Sequence, residues 1–265
     1  MTVYKYIRLY FSIVKVSVES QLSYRCDFIL QLIIWTIYSF VNFIGLYLLM
    51  INYVEIGSQN FIETIYMFGL ITISYNLARM IARSFDNFHV LTMTGDLDVF
   101  YIRPLPIIFQ IISSNLFLRR IAGIFQGIVV LIIYYQYVNT PIYNFAFITS
   151  LIILNTTIMY VGLLICYGAL CFVSENGNLF LNLFVDTSSN IGYYPLKYLT
   201  GIVKYFLIIV IPIYYVVYIP ATLLISADRG ICFSIFISSV ISMIILGLSV
   251  IIFNRMSKKY QSVNS

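Results

Sequence analysis

The chain has 265 residues, of which 61% are hydrophobic and only 9% are charged. Soluble globular domains carry about 25% charged residues, so this chain has too few charged side chains to cover its surface in water. The composition excludes a water-soluble globular protein and predicts an integral membrane protein. The net charge of +5 is therefore interpreted through the loops that carry Lys and Arg, and not as a signal for nucleic acid.

Residues 1–25 are predicted to form an amphipathic helix in the membrane interface, because polar and apolar residues alternate at spacings of three and four. The polar stripe consists of Lys5, Arg8, Ser12, Lys15 and Glu19, and the apolar stripe of Ile7, Tyr10, Phe11, Val14 and Val18. Two roles stay open for this helix: a simple anchor, or an element that passes motion to the first span.

Six segments of the chain have the length of apolar sequence, about 20 residues, that a membrane-spanning helix needs. They are residues 28–51, 61–82, 121–138, 143–172, 201–225 and 231–254. The uncharged stretch from Ile121 to Ser174 is divided into two spans by the turn Asn139-Thr140-Pro141. The predicted fold is an all-α integral membrane domain of six transmembrane helices, covering residues 1–265.

The distribution of basic residues predicts the orientation of these spans. Every Lys and Arg except Arg229 lies in segments on one side: the N-terminal segment, residues 79–120, the link to the fifth span, and the C-terminal tail. Cytoplasmic loops are enriched in Lys and Arg, so both termini are expected in the cytoplasm. No eukaryotic targeting feature is recognised, and a bacterial cytoplasmic membrane is the expected location.

The segment between the second and third spans, residues 83–120, is predicted to be a cytoplasmic helical coupling element. Gly95 can end one helix and Asp96 can cap the next. Arg103-Pro104-Leu105-Pro106 then interrupts the helix again. Residues 105–118 are uncharged but too short to cross a membrane. A polar stripe of Gln110, Ser113 and Ser114 suggests that this last helix lies at the interface or leads obliquely into the third span.

At this segment the chain resembles a known family. Gly95-Asp96-Leu97-Asp98, Arg103-Pro104-Leu105-Pro106 and Phe109-Gln110 resemble the signature G-x-L-D, R-P-L, P-x-x-Q of small ABC-2-type transporter permeases. Tyr24-Arg25-Cys26-Asp27-Phe28 is similar to the family's Y-R-x-D-F entry to the first span. Tyr194-Pro195, Ile211-Pro212 and Tyr218-Ile219-Pro220 resemble its Y-P, I-P and Y-x-P pattern.

The resemblance implies the permease half of an exporter. Two such permease chains, identical or related, would sit on two cytoplasmic ATP-binding subunits. The residues that it implies for coupling to the ATPase are Gly95, Asp96, Leu97, Asp98, Arg103, Pro104 and Pro106. It defines no residues that contact the substrate. The 24 Tyr and 21 Phe residues would suit a hydrophobic or amphipathic substrate, such as a lipid, a peptide or a drug.

No catalytic, metal-binding or cofactor-binding residues are expected in this chain. It lacks the G-x-x-x-x-G-K-[ST] phosphate loop, so ATP is expected to bind to the partner subunit. The centres of the predicted spans lack ionisable side chains, which argues against an intramembrane enzyme or an ion-coupled carrier. The four cysteines have no metal-ligand spacing.

Two other interpretations stay open. The chain could be the membrane coupling subunit of a vitamin-uptake ABC system, although it lacks the paired Ala-Arg-Gly motifs of those proteins. It could also be a membrane scaffold, or an enzyme in which Asp96 and Asp98 form a D-x-D site for a metal and a sugar nucleotide. His89, the single histidine, is interpreted as a loop residue.

Overall fold

The computed structural model describes most of the chain, and every regular element in the described part is helical. The described residues are 3–52, 58–114, 116–137, 141–173, 177–193, 201–226, 228 and 230–260. The predicted turn at residues 139 and 140, the pair Tyr194-Pro195, and Arg229 lie outside these ranges, as does Lys197 in the predicted link to the fifth span.

Three long helices open the chain, and four short ones follow. The long helices are α1 (Val3–Ser23), α2 (Arg25–Asn52) and α3 (Ser58–Ile81). The short helices are α4 (Arg83–Asp86), α5 (Phe88–Thr94), α6 (Asp98–Ile102) and α7 (Ile107–Ser114). A 3₁₀ turn (Leu118–Arg120) then leads directly into α8 (Ile121–Tyr135).

The second half of the chain contains two long helices separated by interrupted ones. Helix α9 (Ile142–Cys171) is followed by α10 (Gly177–Phe180), a π-helical stretch (Leu181–Asp186) and α11 (Thr187–Ile191), which are continuous. The next elements are α12 (Gly201–Tyr205), π-helical residues Phe206–Val210 and Tyr214–Tyr218, α13 (Ile219–Ile225) and α14 (Ile231–Ser257).

Four helical stretches in the described part are long and apolar enough to cross a membrane. They are Arg25–Leu48, Leu118–Tyr135, Ile142–Cys171 and Ile231–Ser257. Helix α3 is less apolar, but its polar side chains are enclosed by protein: Thr64 and Ser74 are fully buried, and Asn76 is nearly so. A helix surrounded by other helices does not need an apolar surface on every side.

Helix α9 forms the centre of the bundle, where it packs between α3 and α14. The side chains of Tyr160, Leu164 and Tyr167 on α9 are fully buried. Polar residues also join these helices: Asn155 Nδ2 on α9 donates to the hydroxyls of Ser238 and Ser239 on α14, at 3.2 and 2.9 Å. Such hydrogen bonds stabilise helix packing in a membrane, where apolar side chains contact lipid as favourably as they contact another helix.

Small residues bring α3 and α8 into close contact. A Cβ atom added to Gly127 on α8 would lie 2.5 Å from Ile73 Cγ1 and 3.2 Å from the Gly69 carbonyl oxygen, both on α3. A Cβ atom at Gly123 would overlap the side chain of Asn76. Gly123 and Gly127 are four residues apart, which is the small-xxx-small spacing that lets membrane helices approach closely.

The structure differs from the sequence prediction at residues 201–225, which were expected to form one continuous span. Helical geometry is interrupted at Ile211 and Pro212, because proline has no N–H to continue the helical ladder. The predicted link before this span also contains structure, since residues 177–191 are helical. This stretch packs along α3: the ring of Tyr193, just beyond it, lies 4.7 Å from that of Phe68.

The predicted interface helix and the predicted coupling element lie at the same end of the bundle. Helix α1 packs on α7, where the rings of Tyr10 and Phe109 are 6.5 Å apart. The side chain of Gln21 on α1 donates to the Leu116 carbonyl and accepts from the Leu118 N–H at 3.3 Å. The polar stripe of α1 is exposed. These contacts tie the N-terminal helix to the start of α8.

Candidate coupling element

Gly95 ends helix α5 in the left-handed conformation, with φ of 76°. This conformation is accessible to glycine without the Cβ penalty that other residues incur. The chain reverses there and returns through Leu97, which is fully buried and donates its N–H to the Leu91 carbonyl at 3.3 Å. The prediction that Gly95 ends a helix is confirmed.

Asp96 does not cap the following helix, contrary to the sequence prediction. The N-cap position of α6 is Leu97, and no side chain caps this helix. The exposed Asp96 carboxylate instead accepts a hydrogen bond from the Thr94 hydroxyl at 2.7 Å. This local hydrogen bond competes with capping, so the Asp96 carboxylate does not accept from the free N–H groups of α6.

The Arg103–Pro106 turn interrupts the helix as predicted. Helix α6 ends at Ile102, and Arg103 is extended with ψ of 136°, which is the conformation favoured before proline. The turn is held by Gln110, which is buried on α7. Its Nε2 donates to the carbonyl of Phe100 at 2.9 Å and to that of Leu105 at 2.8 Å. One side chain therefore joins α6, the turn and α7.

The polar stripe of α7 faces protein, whereas its sequence suggested a helix that lies at the interface or leads obliquely into the third span. Gln110 and Ser113 are buried. The hydroxyl of Ser114 lies 2.7 Å from that of Ser84 on α4. A stripe of two serines and a glutamine is equally compatible with head groups or with a polar partner helix, and here the partner is α4.

Helix α6 is also anchored to the C-terminal end of the chain. The Tyr101 hydroxyl donates to the Ser257 carbonyl at 2.6 Å, and the rings of Tyr101 and Tyr260 stack 5.3 Å apart. Burial, the Tyr260 phenol and the Asp98 carboxylate raise the pKa of Tyr101 to about 12. Burial and the same carboxylate raise the pKa of Tyr260. Tyr101 therefore remains a neutral hydrogen-bond donor at physiological pH.

The outward surface of this element is an exposed tip formed by Val99, Ile102, Arg103 and Pro104. The side chain of Ile102 is 83% exposed, and that of Val99 is 49% exposed. Arg103 and Pro104 are also exposed. An apolar protrusion beside a cationic side chain, held by Gln110 and Tyr101 from behind, has the composition of a protein-contact surface.

The predicted coupling residues are thus divided between two roles. Leu97 is buried and Gly95 shapes the turn, whereas Asp96, Arg103, Pro104 and Pro106 are exposed. Asp98 is half-buried and lies beside Tyr260. His89 Nδ1 lies 3.3 Å from the Tyr167 hydroxyl. Across the described ranges, no three His, Cys, Asp or Glu residues are grouped so that they could hold a metal ion.

A second polar site, which the sequence analysis did not identify, lies behind the coupling element. We call it the arginine cluster: Arg79, Arg83, Asp86, Arg120 and Asp186. Arg79 is 8% exposed and pairs with Asp86 at 3.3 Å and with Asp186 at 2.6 Å. Arg83 pairs with Asp86 at 2.9 Å. The signal available in the sequence was Asp186 itself, the single acidic residue between Glu175 and Asp228.

A known protein family matches most of the chain. The family model described as ABC-2 family transporter protein matches residues 36–264. The matched range contains the coupling element, the arginine cluster and helices α3 to α14. No curated protein and no solved structure is significantly similar to the chain.

Proposed function

Since this chain belongs to the ABC-2 transporter family, we propose that it is the permease subunit of an exporter that moves a hydrophobic or amphipathic substrate. Family membership makes it a multi-pass membrane protein that works with an ATP-binding subunit. The finer assignments are that residues 83–120 receive the force of ATP binding, that transport is outward, and that the membrane is a bacterial cytoplasmic membrane with both termini inside.

The exposed tip is the observation that supports coupling at this segment. Ile102 is more exposed than most apolar side chains of the bundle, yet the helix that carries it is fixed to α7 and to the end of α14 through Gln110 and Tyr101. A rigid attachment transmits displacement of the tip to α14 and α8. A flexible loop at the same place would absorb the displacement.

Six membrane spans are proposed for this domain. Four are the long apolar helices. Helix α3, the second span in chain order, adds another, and its polar side chains are shielded within the bundle. The fifth span in chain order is the interrupted stretch that ends with α13, in which Pro212 separates helical segments. Interrupted helices are tolerated at membrane depth when neighbouring protein satisfies their backbone groups.

Assembly from two permease chains and two ATP-binding subunits is proposed from the resemblance to small ABC-2 permeases. The surface of α2 supports it, because this helix exposes apolar side chains along most of its length: Ile29, Ile34, Ile37, Val41 and Leu48. Residues 202–210 also expose Ile202 and Ile209, at 87% and 73%. Both surfaces can pack against lipid or against a second permease, and the first and fifth spans are the expected interface.

Reconstitution with the partner ATP-binding subunit tests the function. The purified complex in proteoliposomes is expected to hydrolyse ATP, and the Ile102→Asp variant is expected to insert normally but to lose the ATPase. Tyr143→Asp is the matched control. Tyr143 is 85% exposed, but it lies at the start of α9, whereas the coupling segment packs against the other end of that helix, where Phe88 contacts Phe172. Equal ATPase association by both variants would refute coupling at the tip, and a lone functional permease would refute the subunit assignment.

A further inference from the structure

A cavity of about 260 Å³ lies between α2, α3, α8 and residues 186–193. Trp35 and Tyr38 line it from α2, Asn76 and Arg79 from α3, and Arg120 from the start of α8. Asp186 completes the side formed by the helix that leads to α11. The cavity therefore borders the arginine cluster, and one of its walls is α2, which exposes apolar side chains along most of its length.

The charges around this cavity do not balance. Arg79 and Arg83 are compensated by the two carboxylates of Asp186 and Asp86. Arg120 remains: it is only 5% exposed, and it makes no ion pair within the described part of the chain. A buried guanidinium without a counter-ion is costly. One negative charge in the cavity would offset this cost.

The environment of Arg120 shows how it is held in the absence of a counter-ion. Its guanidinium carbon lies 4.2 Å from the centre of the Trp35 ring and 5.7 Å from that of Tyr75. These cation–π contacts orient the group without neutralising it. Its Nε atom has no hydrogen-bond partner among the described residues. The guanidinium therefore retains donor capacity toward an acceptor in the cavity.

Two further buried polar atoms on the cavity wall are unpartnered in the described structure. They are Thr72 Oγ1 and Gln126 Oε1. Thr72 and Gln126 are 6% and 5% exposed. Buried polar atoms without partners are uncommon and indicate a missing water, ion or ligand. The Thr72 hydroxyl can donate to an anion, and Gln126 Oε1 can accept from a hydroxyl of the same ligand.

We propose that this cavity binds the anionic head group of an amphiphilic substrate, with Arg120 as the main charge partner. The inference rests on the proposed transport function and specifies its substrate class. The volume lies just below the about 300–1,000 Å³ of sites for drug-sized ligands, which suits a phosphate or carboxylate head group but not a whole lipid. The apolar tail would extend along the exposed side of α2, where Ile34, Tyr38 and Val41 are exposed.

Binding to the purified permease alone tests this proposal. In a neutral detergent, dodecyl phosphate is expected to raise the thermal unfolding midpoint more than dodecylphosphocholine or inorganic phosphate at the same concentration. Arg120→Gln should weaken dodecyl phosphate binding by about tenfold or more, because a charge-assisted contact is lost. Arg119→Gln is the matched control: it removes the same charge one position away, from a side chain paired with Asp27 at 3.4 Å.

Two results would overturn the proposal. One is equal binding of dodecyl phosphate by the Arg120→Gln and Arg119→Gln variants. The other is equal stabilisation of the wild type by inorganic phosphate, which would indicate a site for a free anion. If Arg120→Gln does not fold, a photoactivatable dodecyl phosphate can be cross-linked to the wild type; labelling of the peptide around Trp35 supports the site, and its absence refutes it. Neither assay needs the ATPase. A failure of head-group binding can therefore be distinguished from a failure of the proposed transport function.

Discussion

Nη2 of Arg79 lies 2.6 Å from Oδ1 of Asp186, although the two residues are 107 positions apart in the chain. This ion pair joins the end of α3 to the helix that leads to α11. The Tyr75 hydroxyl donates to the same carboxylate oxygen at 2.6 Å. The segment that the sequence analysis treated as a simple link is thereby fixed to the centre of the bundle.

Loss of Arg79 is expected to destabilise the protein by about 3–5 kcal/mol, because it leaves the Asp186 carboxylate without its cation and Asp86 with Arg83 alone. Asp186→Asn should cost less, because Arg79 keeps its pairing with Asp86. Thermal and denaturant unfolding of Arg79→Gln and Asp186→Asn in detergent measures the loss of stability in each variant. Equal losses for the two variants would mean that Asp86 does not compensate.

Close packing of α3 and α8 gives a second prediction. Gly127→Ala is expected to destabilise the bundle by about 1–3 kcal/mol, because the new Cβ atom would lie 2.5 Å from Ile73 and 3.2 Å from the Gly69 carbonyl. Gly45→Ala on α2 is the control, since its Cβ atom would meet nothing within 4 Å. The control should be neutral or up to about 1 kcal/mol more stable, because alanine favours helix. An unfolding midpoint for Gly127→Ala as high as that of Gly45→Ala would refute the close contact.

The features that could be predicted from the sequence are those with local causes. Gly95 and the Arg103–Pro106 turn interrupt helices because of their own backbone chemistry, and both are found where the sequence indicated. Pro212 carried the same kind of signal, but the uniformly apolar composition around it favoured one continuous span. The partner of a side chain is a different matter. Asp96 bonds to Thr94, a local alternative to the helix cap that its spacing also allowed. Gln110 turns inward and Arg79 meets Asp186 because of packing that no local spacing encodes.

Membrane topology remains a prediction, and labelling can test it. Since every Lys and Arg except Arg229 lies in the segments assigned to the cytoplasm, positions 57 and 140 are expected outside and position 95 inside. The cytoplasmic position is tested with Asp96→Cys, because Gly95 has φ of 76° and a cysteine there would be strained. In a background without the four native cysteines, a membrane-impermeant reagent should reach cysteines at 57 and 140 in intact cells. Labelling of Asp96→Cys from outside, with no labelling at 57, would show that the spans have the opposite orientation.

The sharpest prediction concerns the charges beside the exposed tip. If Arg103 meets a carboxylate of the ATPase, that contact becomes buried on assembly, and truncating one partner of such a pair costs about 2–5 kcal/mol of binding. Arg103→Ala is therefore expected to leave the chain inserted and abundant while weakening ATPase association. Arg103 is exposed, so the isolated permease should unfold at an unchanged temperature. Arg103→Lys keeps the charge and should retain part of the association.

Asp98 separates coupling from local stability within the same element. It lies in the first turn of α6 and beside Tyr260, where a negative charge stabilises the helix terminus by about 0.3–1 kcal/mol. Asp98→Asn keeps the size and hydrogen-bonding capacity of the side chain but removes its charge. If the charge takes part in coupling, Asp98→Asn and Asp98→Ala should both insert normally and lose ATP-driven transport in proteoliposomes. If Asp98→Asn transports at the wild-type rate with normal ATPase binding, the carboxylate only supports α6, and the coupling contact must be carried by Ile102 and Arg103.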